Sequence, residues 1–268
     1  MIEGTEVKIF LDKNGLIVSP KQGSNRKVIG ILGGMGPEAT ADLYMKIINF
    51  CQKKYGAKYD CDYPQIIVNS IPATQMIDGL DKNREAELCS MLVEGVKKLE
   101  ASGADFIVIA CNTVHYFIEK LRKATSIPVL SIIEETTKKA EENKIKRIGL
   151  LATTTTAKQK VYERELVKFG ITSILPDEKS QAEVTEIIRK IIAGEKSRKD
   201  KNKLKNVIEG LVKRGAEGII LGCTDLPIIL KKDNFDIDIL DSTEVLAEAA
   251  ADKAYGESKY MKKSKVVI

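Results

Sequence analysis

Two cysteines stand out by what surrounds them. Cys111 closes the stretch Gly103-Ala-Asp-Phe-Ile-Val-Ile-Ala-Cys111-Asn112-Thr113, and Cys223 closes Gly215-Ala-Glu-Gly-Ile-Ile-Leu-Gly-Cys223-Thr224-Asp225. In both, a Gly-Ala-acid triplet leads into an apolar run, and the cysteine falls eight residues after the glycine. A short apolar run bounded by glycine and polar residues reads as a buried parallel strand. The C-terminal end of such a strand is where open α/β sheets hold their ligands. A thiol at the start of a following helix is expected to have a lowered pKa and to be available as the thiolate. Two equivalent thiols facing one cleft suit a reaction that removes a proton from one face of a carbon and returns one to the other.

The remaining cysteines, Cys51, Cys61 and Cys89, read as small hydrophobes. Five cysteines at irregular spacing argue against a disulfide framework. With one histidine and no CxxC, no metal site is expected. That histidine, His115, lies four residues after Cys111, whereas Pro227 holds the matching place after Cys223. A cysteine–histidine hydrolase pair would therefore exist in one repeat only, and would not need the second thiol. The reading for His115 is a supporting one, as an imidazolium beside the Cys111 thiolate.

The elements that position the cysteines are duplicated too. Lys27-Val-Ile-Gly30-Ile-Leu-Gly33 resembles Lys146-Arg-Ile-Gly149-Leu-Leu-Ala152, and Ile127-Pro-Val-Leu-Ser131 resembles Ile237-Asp-Ile-Leu-Asp241. The order of strand, helical region, cysteine strand and next strand runs twice. Gly30 to Cys111 is 81 residues and Gly149 to Cys223 is 74, so the unit is half a protein rather than a short-period solenoid. The expected fold is α/β, with two pseudo-symmetric parallel-sheet domains and the active site in the cleft between them. Residues 27–130 with 238–268 form the first domain, residues 131–237 the second, and residues 1–26 an N-terminal extension. In that extension, apolar runs flank Asp12-Lys-Asn-Gly15, which reads as a β-hairpin with an Asn-Gly turn.

After the first strand comes Gly33-Gly34-Met35-Gly36-Pro37-Glu38, a tight turn into a helix reaching about Lys54. Pro37 and Glu38 suit a helix start. The stretch from Gly34 to Ala39 formally matches a dinucleotide-binding fingerprint, but the next strand ends in Asn69-Ser70, with no acidic residue for a ribose. Its main-chain N–H groups, Gly34 among them, suit a carboxylate instead. In the second half Thr153-Thr-Thr-Thr156 takes the place of the glycines, and Lys158 and Tyr162 are expected on the helix beyond it.

Over 268 residues the apolar fraction is 43% and the charged fraction 30%, which fits a soluble globular chain. No apolar run reaches membrane-span length and the N-terminus has no signal-like core, so the cytoplasm is the expected location and no membrane partner is expected. The net charge of +5 is concentrated around residues 195–205 and the C-terminus. No aromatic side chains interleave there to stack bases, so no nucleic-acid partner is expected either.

At these motifs the chain resembles the aspartate/glutamate racemase superfamily. Gly33-Gly-Met-Gly-Pro37, Ala110-Cys-Asn-Thr-Val-His115, Gly149-Leu-Leu-Ala-Thr153 and Gly222-Cys-Thr-Asp225 all match, in order, over residues 27 to about 255. The glycine-rich first loop resembles aspartate racemase more than glutamate racemase, whose loop carries Asp-Ser-Gly. The resemblance implies a cofactor-independent, two-cysteine racemase of aspartate or glutamate, commonly a homodimer, with a small amino acid as its partner. It implies that Cys223 deprotonates the L-enantiomer and Cys111 the D-enantiomer. Asn112, Thr113 and Thr224 would hold the α-carboxylate with Thr154 and Thr156 nearby, Met35 and Asn69 would line the pocket, and Lys158 would take the side-chain carboxylate. The chain departs from the family in lacking the Pro-Asp-Arg segment after the second strand, and Thr155 replaces a usual glycine. A broad-specificity racemase, a related isomerase or decarboxylase, and a non-catalytic amino-acid-binding module are the competing readings. A nucleotide-binding dehydrogenase ranks below them.

Overall fold

The computed structural model describes residues 26–73, 82–230 and 235–256, together with the backbone of two N-terminal strands. Those strands, β1 (Val7–Asp12) and β2 (Gly15–Pro20), pair antiparallel with Asp12 opposite Gly15. Gly15 of the expected Asn-Gly turn enters the ladder, and Lys13 and Asn14 lie outside the described residues.

Two four-stranded parallel sheets follow. The first contains β3 (Ile29–Gly33), β4 (Ile66–Ser70), β5 (Phe106–Ile109) and β6 (Val129–Leu130), in the order β4-β3-β5-β6. The second contains β7 (Arg147–Leu151), β8 (Thr172–Ile174), β9 (Gly218–Leu221) and β10 (Asp238–Asp241), in the order β8-β7-β9-β10. Each sheet thus places its strands second, first, third, fourth. Strand order reverses between the first and third strands of each, and the crevice beyond their C-terminal ends is the ligand position of such folds.

The helices of the first half are α1 (Pro37–Tyr55), α2 (Lys82–Ala101), α3 (Ile118–Lys123) and α4 (Ile132–Glu142). Those of the second are α5 (Thr154–Lys158), α6 (Glu163–Leu166), α7 (Glu178–Ile192), α8 (Arg198–Lys213), α9 (Leu226–Ile229) and α10 (Ser242–Tyr255). Helix starts carry the residues that main-chain N–H groups need. Ser131 accepts from Glu134 N, Asp177 from Ser180 N, Ser197 from Asp200 N, and Asp241 from both Thr243 N and Glu244 N. The helix expected to carry both Lys158 and Tyr162 is broken: Lys160 has a φ of 52°, and Tyr162 caps α6 instead.

Side chains alternate along the central strands, so each sheet has two apolar faces. On β3 and β5, Ile29, Ile31, Phe106 and Val108 turn toward the middle of the molecule, while Leu32, Ile107 and Ile109 turn outward. The outward set meets the stripe Leu88, Leu92, Val96 and Leu99 of α2. The equivalent outer face of the second sheet meets Val184, Ile187, Ile188 and Ile191 of α7 and Leu204, Ile208 and Leu211 of α8. The inward sets of both sheets share one core with α1, α4 and α10. Each fully buried Ile or Phe there contributes roughly 1.5–3 kcal/mol, so the shared core welds the halves together.

One element departs from the expected division at residue 238. Asp238–Asp241 pairs with β9 and completes the second sheet, because Ile239 and Leu240 find the open edge of that strand. Of the described residues after it, only α10 crosses back, packing against α1 and α4, and residues 257–268 lie outside the described residues. Among the described residues, no helix is long and apolar enough to cross a membrane.

Candidate active site

The C-terminal ends of β3, β5, β7 and β9 converge on one cleft between the sheets. Gly34, Met35 and Gly36 reach it from β3, Cys111, Asn112 and Thr113 from β5, Thr153 from β7, and Cys223, Thr224 and Asp225 from β9. Ala73, Val114, Ile188 and Ile192 complete an apolar wall.

The first loop requires glycine at Gly34, whose φ is +95° and where a Cβ would lie 2.2 Å from Ile71 O. Gly34 N donates to Thr40 Oγ1 at 2.9 Å, and that hydroxyl donates to Gly36 O at 3.0 Å. The loop is thereby folded onto the first turn of α1. Gly36 brings it against the second half, since a Cβ there would lie 3.2 Å from Asp225 Oδ1.

Cys111 is partly buried at the end of β5. The helix expected after it is a single 3-10 turn, Thr113–Phe117. Burial, not a helix start, dominates the thiol: its pKa rises to about 11. The main-chain N–H groups of Val114 and Thr113 oppose that rise, and the Asp225 charge adds to it. His115 fastens the turn. Its Nδ1 donates to Cys111 O at 2.8 Å, and its Nε2 accepts from Ile132 N at 3.1 Å. With both ring nitrogens on the main chain and burial lowering its pKa to about 4, the ring is neutral at physiological pH. The expected imidazolium beside the thiolate is therefore replaced by a neutral staple.

Cys223 is buried, and its Sγ donates to Asp225 Oδ2 at 3.5 Å. Burial first, then the Asp225 charge, pushes this thiol well above the ordinary thiol range. Burial also lifts the Asp225 carboxyl to about 6. For both cysteines the expectation of a lowered pKa is overturned. The thiols are removed from water before the short turns after them can offset the cost.

The halves are joined by hydrogen bonds around the cleft. The Thr113 hydroxyl lies 3.2 Å from that of Thr153 and 2.9 Å from that of Thr156, and those two are 3.0 Å apart. Thr224 Oγ1 donates to Ala110 O at 3.4 Å. Tyr162 O–H donates to Asn112 Oδ1 at 2.6 Å, Asn112 Nδ2 to Ser242 Oγ at 3.1 Å, and that hydroxyl to Leu221 O at 2.8 Å. The Asn112 side chain is thus occupied in tying β5 to β9, although the residue lines the cleft.

Of the residues singled out in the sequence, Gly34, Met35, Cys111, Asn112, Thr113, Cys223 and Thr224 line the cleft. Four do not. Asn69 sits on the edge strand β4 with its amide turned to Gly95 O at 3.2 Å. Thr154 Oγ1 bonds Thr185 Oγ1 at 2.8 Å. Thr156 is buried behind Thr113 and Thr153. Lys158, the last residue of the five-residue α5, is exposed. The sequence named Asp225 and Thr153 within motifs but gave neither a place in the site, and it offered nothing for Ile188 and Ile192. Asp225 carried a signal, a carboxyl two residues after the thiol. The isoleucines sit four apart on one face of α7, but nothing local aims that face at the cleft.

Two α/β units of the same strand order thus meet at a cleft lined by one thiol from each. Residues 32–250 match the Asp/Glu/hydantoin racemase family model, and the chain belongs to that family. It is thereby an isomerase. It is 34% identical over 226 residues to the broad specificity amino-acid racemase RacX of Bacillus subtilis, covering 83% of this chain and 96% of that protein. Among solved structures it resembles Picrophilus torridus aspartate racemase, with a TM-score of 0.75, 28% identity, and 86% and 94% of the two chains covered. An aspartate racemase homologue from Pyrococcus horikoshii superposes with a TM-score of 0.73 at 28% identity, over 86% of this chain and all of that one.

Proposed function

We propose that this protein racemises amino acids by two-base proton transfer between Cys111 and Cys223, with no cofactor, and that it favours neutral side chains. The observation that carries the reading is the pair of thiols lining one cleft from equivalent strands of the two halves. One sulfur acts as thiolate and takes the α-proton. The electron pair left on Cα delocalises into the substrate carboxylate. The other thiol delivers its S–H proton to the opposite face, so each turnover exchanges the thiol and thiolate roles. The main-chain N–H groups of Thr113 and Val114 favour the Cys111 thiolate, whereas the Asp225 charge opposes ionisation of Cys223 more strongly. Cys111 is then the more readily ionised of the two thiols, which suits it to act as the base toward the D-enantiomer.

The side-chain preference follows from what borders the cleft. Among the described residues no lysine or arginine lines it, while Met35, Val114, Ile188 and Ile192 do. Lys158, expected to meet a distal carboxylate, is exposed and outside that lining. A buried carboxylate without a cation is costly. The 34%-identical relative named for broad specificity is consistent with this.

The test is chiral chromatography of each L-amino acid after incubation with purified protein and no added cofactor. D-enantiomer should form, faster from neutral apolar substrates than from aspartate or glutamate. Faster inversion of the acidic pair would overturn the preference, and a requirement for pyridoxal phosphate would overturn the mechanism.

A further inference from the structure

An amino acid brings two charges into the cleft, and the neutral donors around Cys111 can answer only one of them. The N–H groups of Thr113 and Val114 suit the α-carboxylate. The α-ammonium needs an anion. Besides the two thiols, Asp225 is the one ionisable side chain among the described lining residues. It is 3% exposed, so its carboxylate has little water to lean on. Its Oδ2 accepts from Cys223 Sγ. Its Oδ1 faces Gly36 and takes no hydrogen bond from the described residues.

We propose that Asp225 holds the α-ammonium of the substrate and so makes a free α-amine a requirement for binding. The proposal rests on the racemase reading above and extends it to a residue that recognises substrate. The carboxyl that would seat the ammonium also touches the Cys223 thiol. Nitrogen is one bond from Cα, so an ammonium on Asp225 sets Cα beside that sulfur. The carboxyl, lifted to about 6 by burial, is mostly ionised at neutral pH, and an incoming ammonium favours ionisation further. Binding also relieves Asp225 of being an unpaired buried charge, which couples substrate entry to the electrostatics of Cys223.

The experiment is calorimetry on the wild type and Asp225→Asn, with the L-amino acid that binds the wild type most tightly and with its des-amino carboxylic acid. The amide keeps the shape and can still accept the Cys223 S–H. Amino-acid affinity should fall by roughly 30-fold or more, the low end for breaking a buried charge pair. The des-amino acid should bind the variant as well as or better than the wild type, because a like charge has gone. Equal weakening of both ligands, an unchanged amino-acid affinity, or no amino acid bound by the wild type would overturn the proposal. If Asp225→Asn does not fold, Asp225→Glu replaces it. It should retain selectivity for the amine at reduced affinity, and loss of that selectivity would be contrary. Selectivity is read from binding alone, so failure of the wild type to invert any bound amino acid would sink the racemase reading separately.

Discussion

The two halves share a strand order and a cysteine position, yet they surround those cysteines differently. After β3 the chain turns through Gly34 and Gly36, and after β7 Thr153 caps α5 by accepting from Thr156 N at 3.1 Å. Cys111 is followed by a turn that a neutral His115 fastens to the main chain. Cys223 is followed by Asp225 and by α9, with Pro227 near its start. Neutral donors thus face one thiol and a carboxyl faces the other. The backbone kept its symmetry after duplication, and the charge did not. Unequal thiols suit a site that must hold one sulfur ionised and the other protonated.

The strongest way to break this comparison is to remove one thiol at a time. Cys111→Ser and Cys223→Ser should each lower inversion by roughly 10²–10⁴-fold, the usual worth of a general acid or base. The residual chemistry should differ between them. Proton NMR in D2O should show Cys111→Ser, with Cys223 intact, exchanging the α-proton of the L-enantiomer only. Cys223→Ser should exchange the D-enantiomer only. Exchange of the same enantiomer by both variants would refute the assignment of faces.

A smaller effect sharpens the contrast at His115. His115→Gln should cost about 1–3 kcal/mol of stability at pH 7.5, through the loss of two buried main-chain partners. The folded pKa of about 4 lies below the ordinary value of 6.5, so the neutral ring stabilises the fold above pH 6.5. That contribution is lost as pH falls toward 4, because the unfolded chain takes up the proton first. The gap between wild type and variant in urea melts should therefore narrow by up to about 3 kcal/mol over this window. A gap that widened on acidification would show the ring charged in the folded protein.

The smallest effect belongs to Lys158. Lys158→Met should change kcat/KM for aspartate and for alanine by less than about twofold, as expected of an exposed side chain. A selective loss for aspartate would return this lysine to the cleft.

What was legible in the sequence was whatever depends on local pattern. The paired glycine-to-cysteine runs gave β5 and β9, the stripe on α2 gave its buried face, and Pro37 marked the start of α1. What was not legible depends on partners far along the chain. Asn69 gives its amide to Gly95 O on α2, and Asn112 is occupied because Tyr162 and Ser242 reach it from the other half. The thiol pKa values were misjudged because a following turn can be read locally, whereas burial by two packed sheets cannot.

The last helices of the halves trade places. α4 follows the first sheet but packs on α6 and β10 of the second, and α10 follows the second sheet but packs on α1 of the first. A half-length chain of this arrangement would close its core by lending its final helix to a second copy, as a swapped homodimer does. Joining two such copies in one chain makes a concentration-dependent exchange intramolecular. Within one chain each copy of a residue is free to change without its twin, and a histidine in one repeat stands where the other carries a proline.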